Sequence, residues 1–460
     1  MLPIGLLGLL LSRKWLYRLF VFWTLFSASA AANFGEGQNA SALQVWMLFG
    51  SLWLARLVLD HLLTFSFSGD RRILRPCLWL TAFLFISSLS LVMPVYINGK
   101  LAIASPFLFD VSETPLFLTS HNVTQLLYLI FGVLIAICVA HSNLRDEQRH
   151  ETERIILISA IVLAVWGLIQ FVCNVTGIPY PYYIFNNSGS ISGGGYSQTF
   201  NGLGRITSGT LEASVFAQDL LSLLPLTLAA WLGRGFVLSV WLDRCSAVLF
   251  VAVLLLSTSS TAYVGLMALV LVLLPVLLRT GTISKARALK SALITGVTVF
   301  AVVALFASSN SVVRDVLTSA VVEKSSSGSA LERLMTVQLA FGYFQRFPML
   351  GIGWGSATSH DLIVLLLSNV GIIGACTFFG AMFCIMRANW RAMGPLVSSM
   401  DLSRSAWFLG LTMLLFTSII GGFPLVLGNF WLVLGMAIAT GLKTETRESP
   451  TSPQSQHASD

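Results

Sequence analysis

Charge is scarce in this chain. Asp, Glu, Lys and Arg make up 10% of 460 residues, 55% are hydrophobic, and the mean hydropathy is +0.81. That excludes an ordinary soluble domain, whose surface needs far more charge. Cysteine is sparse too. Cys77, Cys138, Cys173, Cys245, Cys376 and Cys384 show no CxxC spacing, so neither a disulfide framework nor a zinc site is indicated. They read as small core hydrophobes. No P-loop is present. Gly351-x-Gly353-x-Gly355 is no dinucleotide fingerprint, since no strand precedes it and its third glycine is misplaced. No internal repeat is visible, and no inverted pair of Gly/Pro-broken helices of the transporter kind.

What the chain has is long apolar runs. An apolar helix of about 20 residues crosses the ~30 Å hydrocarbon layer. About twelve such runs fall at 15–33, 41–66, 73–93, 122–140, 155–173, 211–232, 236–256, 259–278, 291–308, 361–386, 404–420 and 423–441. The expected fold is an all-α polytopic membrane protein over 1–442, followed by a disordered cytoplasmic tail, 443–460. The basic start, Leu19–Phe26 and the SASAAA after it also resemble a signal peptide. A retained first helix is preferred, because polytopic proteins usually keep their first span.

With the N-terminus inside, only Lys100, Arg205, Arg314, Lys324, Arg333 and Arg346 fall outside. Arg56 lies within a span, where Asp60 four residues on is expected to neutralise it. The remaining basic residues lie inside, as the positive-inside rule requires. The net charge of +7 is therefore topological. It forms no patch for nucleic acid, and no nucleic-acid partner is expected. The inner side carries no DxD-like acidic pair, which argues against nucleotide-sugar chemistry.

The long outside segments are 94–121, 174–210 and 309–360, so function is expected on the outer face. In the second, Arg205 precedes a span and Glu212 opens it, with Asp219 two helical turns on and on the same face. In the third, Ser329 and Glu332 form a capping-box signature. Leu331, Leu334, Met335, Leu339 and Phe341 follow with helical period, and Pro348 ends the pattern. An amphipathic helix from about 330 to 346, lying on the membrane surface, is expected. A Gly-rich loop then leads to His360 and Asp361 at the mouth of an apolar helix.

Arg205, Glu212, Arg333 and His360 form the core of an outer-face constellation, with Arg314, Arg346 and Asp361 as outlying members. The planar fork of arginine suits phosphate or pyrophosphate. A histidine or carboxylate suits proton abstraction from a hydroxyl. Together they fit transfer from a phosphate-linked donor to an alcohol. The plainer alternative is that His360 caps a helix and the arginines anchor to lipid headgroups.

Three stretches carry a resemblance: Arg205–Ser214 (RITSGTLEAS), Leu254–Leu266 (LLLSTSSTAYVGL) and Leu331–Gly374 with its GIGWG…SHD core. In order and topology they resemble the O-antigen ligase and polysaccharide polymerase superfamily, including Wzy-type polymerases. Two positions depart from the family pattern. Ala213 stands in place of a proline, and Thr261 in place of an arginine, which leaves the role of that short turn open. The resemblance implies about twelve helices, a large late periplasmic loop and a site facing the periplasm from the bacterial inner membrane. It implies an undecaprenyl-pyrophosphate-linked oligosaccharide as donor, and metal-independent, cofactor-free glycosyl transfer with inversion. Arg205 and Arg333, with Arg346 as a third candidate, would bind the pyrophosphate. His360 or Glu212 would serve as catalytic base. Membrane lipid, a chain-length regulator and a flippase of the same pathway are the implied partners. A polymerase is preferred. A ligase acting on lipid A–core or protein is the alternative, and a lipid-linked glycan flippase is the alternative of another class.

Overall fold

The computed structural model describes residues 12–35, 41–64, 74–104, 113–189, 196–200, 203–231, 235–281, 328–395, 399–422 and 424–442. The run read at 291–308, Arg314 and the tail 443–460 lie outside these residues. The described chain is mostly helical. In order the helices are α1 (Arg13–Trp23), α2 (Val45–Thr64), α3 (Leu74–Ser90), α4 (Val92–Ile97), α5 (Ser120–Ser142) and α6 (Asp146–Thr176). They continue with α7 (Ala213–Trp231), α8 (Val240–Leu256), α9 (Ser260–Arg279), α10 (Gly328–Arg346), α11 (Leu362–Ala392), α12 (Ser399–Gly421) and α13 (Gly428–Leu442). Three antiparallel two-stranded hairpins decorate them: β1 (Ala30–Phe34) with β2 (Ser41–Gln44), β3 (Ala102–Ala104) with β4 (Glu113–Pro115), and β5 (Thr199–Phe200) with β6 (Leu203–Gly204).

Six of the described helical segments are long and apolar enough to cross a membrane. They are Leu74–Ile97, Ser120–Ser142, Asp146–Thr176, Ser260–Arg279, Leu362–Ala392 and Met400–Gly421. Their outward faces carry large apolar side chains such as Phe85, Leu271 and Met267, all well exposed. A water-facing surface would not hold so many. The chain is a multi-pass membrane protein.

The bundle packs α12 on α7, α11 on α3, α13 on α5 and α1 on α2. Trp46, Trp53, Trp407 and Trp431 fill its centre. Small residues let the helices close on them: a Cβ on Gly132 would lie 2.1 Å from the Trp431 ring.

The first apolar run does not form one span. The helix stops at Trp23 after 11 residues, about 16 Å and roughly half the hydrocarbon thickness. The small residues that follow bond elsewhere. Thr24 Oγ1 donates to Val21 O at 2.7 Å, Ser29 Oγ to Phe185 O at 2.7 Å, and Ala28 N to Gly209 O at 3.0 Å. Hydroxyls competing for backbone groups end the ladder.

The two ends of the bundle differ in charge. Around the start of α1, the α5–α6 turn and the start of α12 gather Arg13, Lys14, Arg18, Arg149 and Arg404 with acidic partners. Arg18 pairs with Glu151 at 2.5 Å, and Arg149 Nη1 with Asp146 at 2.8 Å. Asp60 takes both Arg56 and Arg13, each at 3.3 Å, so the expected pairing of Arg56 with Asp60 is present. At the opposite end α7, α9 and α11 begin and α12 finishes. The candidate site lies there.

Candidate functional site

Arg205 follows the β5–β6 hairpin, and its backbone is held on both sides. Its N donates to Gln198 O at 2.9 Å, and its carbonyl accepts from Gln170 Nε2 at 3.2 Å. Its guanidinium reaches Gln198 Oε1 only at 3.5 Å, and its Nε is buried without a partner. Burial lowers the Arg205 pKa from its ordinary value. Glu212 opposes that shift, and Arg333 adds to it. Residues far apart in sequence thus act on one another here. Glu212 lies one residue before α7, and its Oε1 accepts the hydroxyl of Ser214.

Arg333 stands on α10, where a helix was expected at about 330 to 346 and runs Gly328–Arg346. Leu331, Leu334, Met335, Leu339 and Phe341 are exposed, while Ala340 and Tyr343 face the bundle. The apolar stripe therefore faces outward, away from the bundle. Arg333 Nη1 donates to Ile420 O at 3.2 Å. One turn on, Thr336 Oγ1 lies 3.0 Å from His360 Nδ1.

His360 is only 7% exposed. Its pKa is lowered to about 4, chiefly by burial and then by the Arg333 charge, against a smaller pull from Glu212. At neutral pH the ring is therefore uncharged. Glu332, expected as a capping residue, also belongs to this group. Its carboxyl is raised by burial and then by Glu212, while Arg333 lowers it.

The end of α12 joins these parts. Gly422 (φ +73°) approaches His360 so closely that a Cβ there would lie 3.0 Å from the His360 Cα. A Cβ on Gly421 would lie 2.9 Å from Gln218 Nε2 and 3.3 Å from Thr261 Oγ1. The Ser257–Thr261 turn, whose role the sequence left open, therefore meets the site through Thr261. Gln218 Oε1 and Thr261 Oγ1 have no hydrogen-bond partner.

Other expected members lie elsewhere. Arg346 is exposed at the far end of α10, about 20 Å along the helix axis from Arg333. It influences Tyr343, as Glu113 does with opposite sign. Asp361 caps α11, its Oδ1 accepting from Ile363 N at 2.7 Å and Val364 N at 3.0 Å. Asp219 is buried within the bundle and accepts from Asn429 Nδ2 at 2.8 Å.

The Gly-rich loop is built differently from a phosphate cradle. Ile352 N donates to Ser368 O at 2.8 Å, Gly353 N to Asn369 O at 3.1 Å and Trp354 N to Ser90 Oγ at 3.0 Å. These amides are committed to the protein. Gly371 (φ +64°) breaks the geometry of α11, and the chain from Pro348 threads against the break. Ile372 N donates to Pro348 O at 2.8 Å, and a Cβ on Gly371 would lie 2.2 Å from Met349 O. The glycines permit this close backbone approach.

The described residues thus bring Arg205, Glu212, Arg333 and His360 to one end of the bundle. Sequence reasoning missed Thr336 and Ile420–Gly422. The paired glycines between two apolar runs were the one local signal available. No family model matches the chain, and no curated protein is significantly similar to it.

Proposed function

We propose that this chain is a membrane polysaccharide polymerase. It transfers a glycan from an undecaprenyl-pyrophosphate carrier to a hydroxyl of another lipid-linked repeat unit. One observation carries the reading: Arg333 and Glu212 act both on a buried histidine, His360, and on a second arginine from a separate element, Arg205. Arginines brought close enough to repel one another suit a multiply charged anion. A neutral histidine beside them can orient the acceptor hydroxyl and take its proton as the new bond to carbon forms.

In this reading Arg205 and Arg333 bind the pyrophosphate and stabilise its growing charge. The acceptor oxygen bonds to the anomeric carbon as the carbon–oxygen bond to pyrophosphate breaks. The departing phosphate takes the electron pair, and His360 takes the hydroxyl proton. In-line attack inverts the anomeric centre. The reading also carries about twelve spans, a periplasmic late loop and an inner-membrane location. The basic end of the bundle then faces the cytoplasm.

Purified protein given a lipid-linked repeat unit tests the proposal. A new glycosidic bond supports it, and transbilayer movement without one identifies a flippase. A deletion strain that accumulates single repeat units supports a polymerase. Polymer left on its carrier identifies a ligase.

A further inference from the structure

We infer that Thr336 fixes His360 as its Nδ1–H tautomer, which makes Nε2 the proton-accepting nitrogen. The tautomer rests on the two hydrogen bonds of Thr336. The role of Nε2 rests on the proposed transfer reaction.

A threonine hydroxyl has one proton to donate and lone pairs to accept with. Thr336 Oγ1 donates to Arg333 O, one turn back along α10, at 2.9 Å. The same oxygen lies 3.0 Å from His360 Nδ1. With its proton directed at the backbone, Oγ1 can only accept from the ring, so Nδ1 carries the hydrogen. A neutral imidazole has one N–H, and the lone pair then falls to Nε2.

Helical hydroxyls in this chain repeat the backbone donation. Thr227 Oγ1 donates to Leu224 O, Ser222 Oγ to Asp219 O and Thr377 Oγ1 to Gly374 O, all at 2.7 Å. Thr336 follows the same three-residue pattern, and its β-branch keeps χ1 stiff.

Among the described residues, the charged groups that act on His360 leave this assignment in place. Arg333 from α10 opposes a second ring proton, and Glu212 from the start of α7 favours one less strongly. Arg205 lies near Glu212, and Glu332 shares the first turns of α10 with Arg333. The Asp361 carboxylate is engaged in capping α11. From α12, Gly422 meets the His360 backbone. Thr336 and Arg333 lie one turn apart, so the proposed anion ligand and the group orienting the base share one rigid element.

The test uses full-length protein with ¹⁵N-labelled histidine in micelles, with His360→Gln identifying the signal. At neutral pH the wild type and Thr336→Ser should show the Nδ1–H tautomer. Thr336→Val, an isostere without the hydroxyl, should gain the Nε2–H form. In transfer assays it should lose about tenfold or more in kcat with KM for the lipid-linked donor unchanged, while serine preserves the rate. A wild-type Nε2–H ring overturns the inference, as does a valine variant with the wild-type tautomer. If valine prevents folding, the wild-type spectrum alone decides. If the wild type shows the Nδ1–H ring but transfers no glycan, the functional reading fails while the tautomer assignment stands.

Discussion

Gly422 and His360 meet backbone to backbone, with only 3.0 Å between the His360 Cα and the place a Gly422 Cβ would occupy. Gly422→Ala should therefore act twice. The positive φ of +73° costs an L-residue about 1–2 kcal/mol. The new methyl also pushes on the residue that holds the imidazole. A displacement near 1 Å can cost about 10²-fold in rate. Transfer kinetics on the folded variant check this, and an unchanged kcat would remove Gly422 from the site's support.

Titration of His360 should respond to its neighbours with opposite signs. Burial and Arg333 hold its pKa at about 4, so the base is neutral above that value and lost as pH falls through it. Arg333→Met removes a repelling charge, and the midpoint should rise toward the ordinary value of about 6.5. Glu212→Gln removes an attraction for the proton, and the midpoint should fall. Histidine NMR reads both, and either shift reversed would contradict the arrangement.

The arginines should separate by position. Arg205→Ala and Arg333→Ala should abolish long polymer at normal protein levels, because each lies in the cluster with Glu212. Arg346→Ala should leave chain length unchanged, since Arg346 is exposed at the other end of α10. Gel analysis of surface polysaccharide in a complemented deletion strain distinguishes them.

Asp361 and His360 are adjacent, yet their variants should differ in kind. Asp361→Ala removes two capping bonds and should cost about 1 kcal/mol of stability. Its kcat should stay near wild type. His360→Ala should lose transfer with little change in thermal stability. A large rate loss in folded Asp361→Ala would return the carboxylate to the chemistry.

Gly371→Ala should be the most damaging of these changes to the fold. Its Cβ would sit 2.2 Å from Met349 O and 2.5 Å from Leu350 N, contacts that side-chain movement cannot relieve. A loss beyond about 3 kcal/mol, read as poor yield and early aggregation, is expected.

Local pattern made much of this legible. Apolar periodicity placed α11 within a residue of its start, and the spacing from Leu331 to Phe341 placed α10. Local pattern misled at the first run, where Ser27–Ala32 are apolar enough to extend a helix. Their bonds to Phe185 and Gly209 depend on tertiary neighbours that no window contains. The same limit hid the glycine loop's role, because its partners Ser90 and Ser368–Asn369 lie in other elements. Thr336 is one ordinary helical threonine in sequence. Only the fold sets it against His360.

The threading of Pro348–Gly353 against the break in α11 bears on biogenesis. Non-helical backbone near a bilayer is tolerated only where protein satisfies its polar groups. Here Pro348 O and Ser368 O accept amides from the opposite segment. Neither segment is complete without the other, so α10 and α11 must settle as a pair. A stall in synthesis between Arg346 and Leu362 would leave the backbone groups of the first segment without these partners until the second is made.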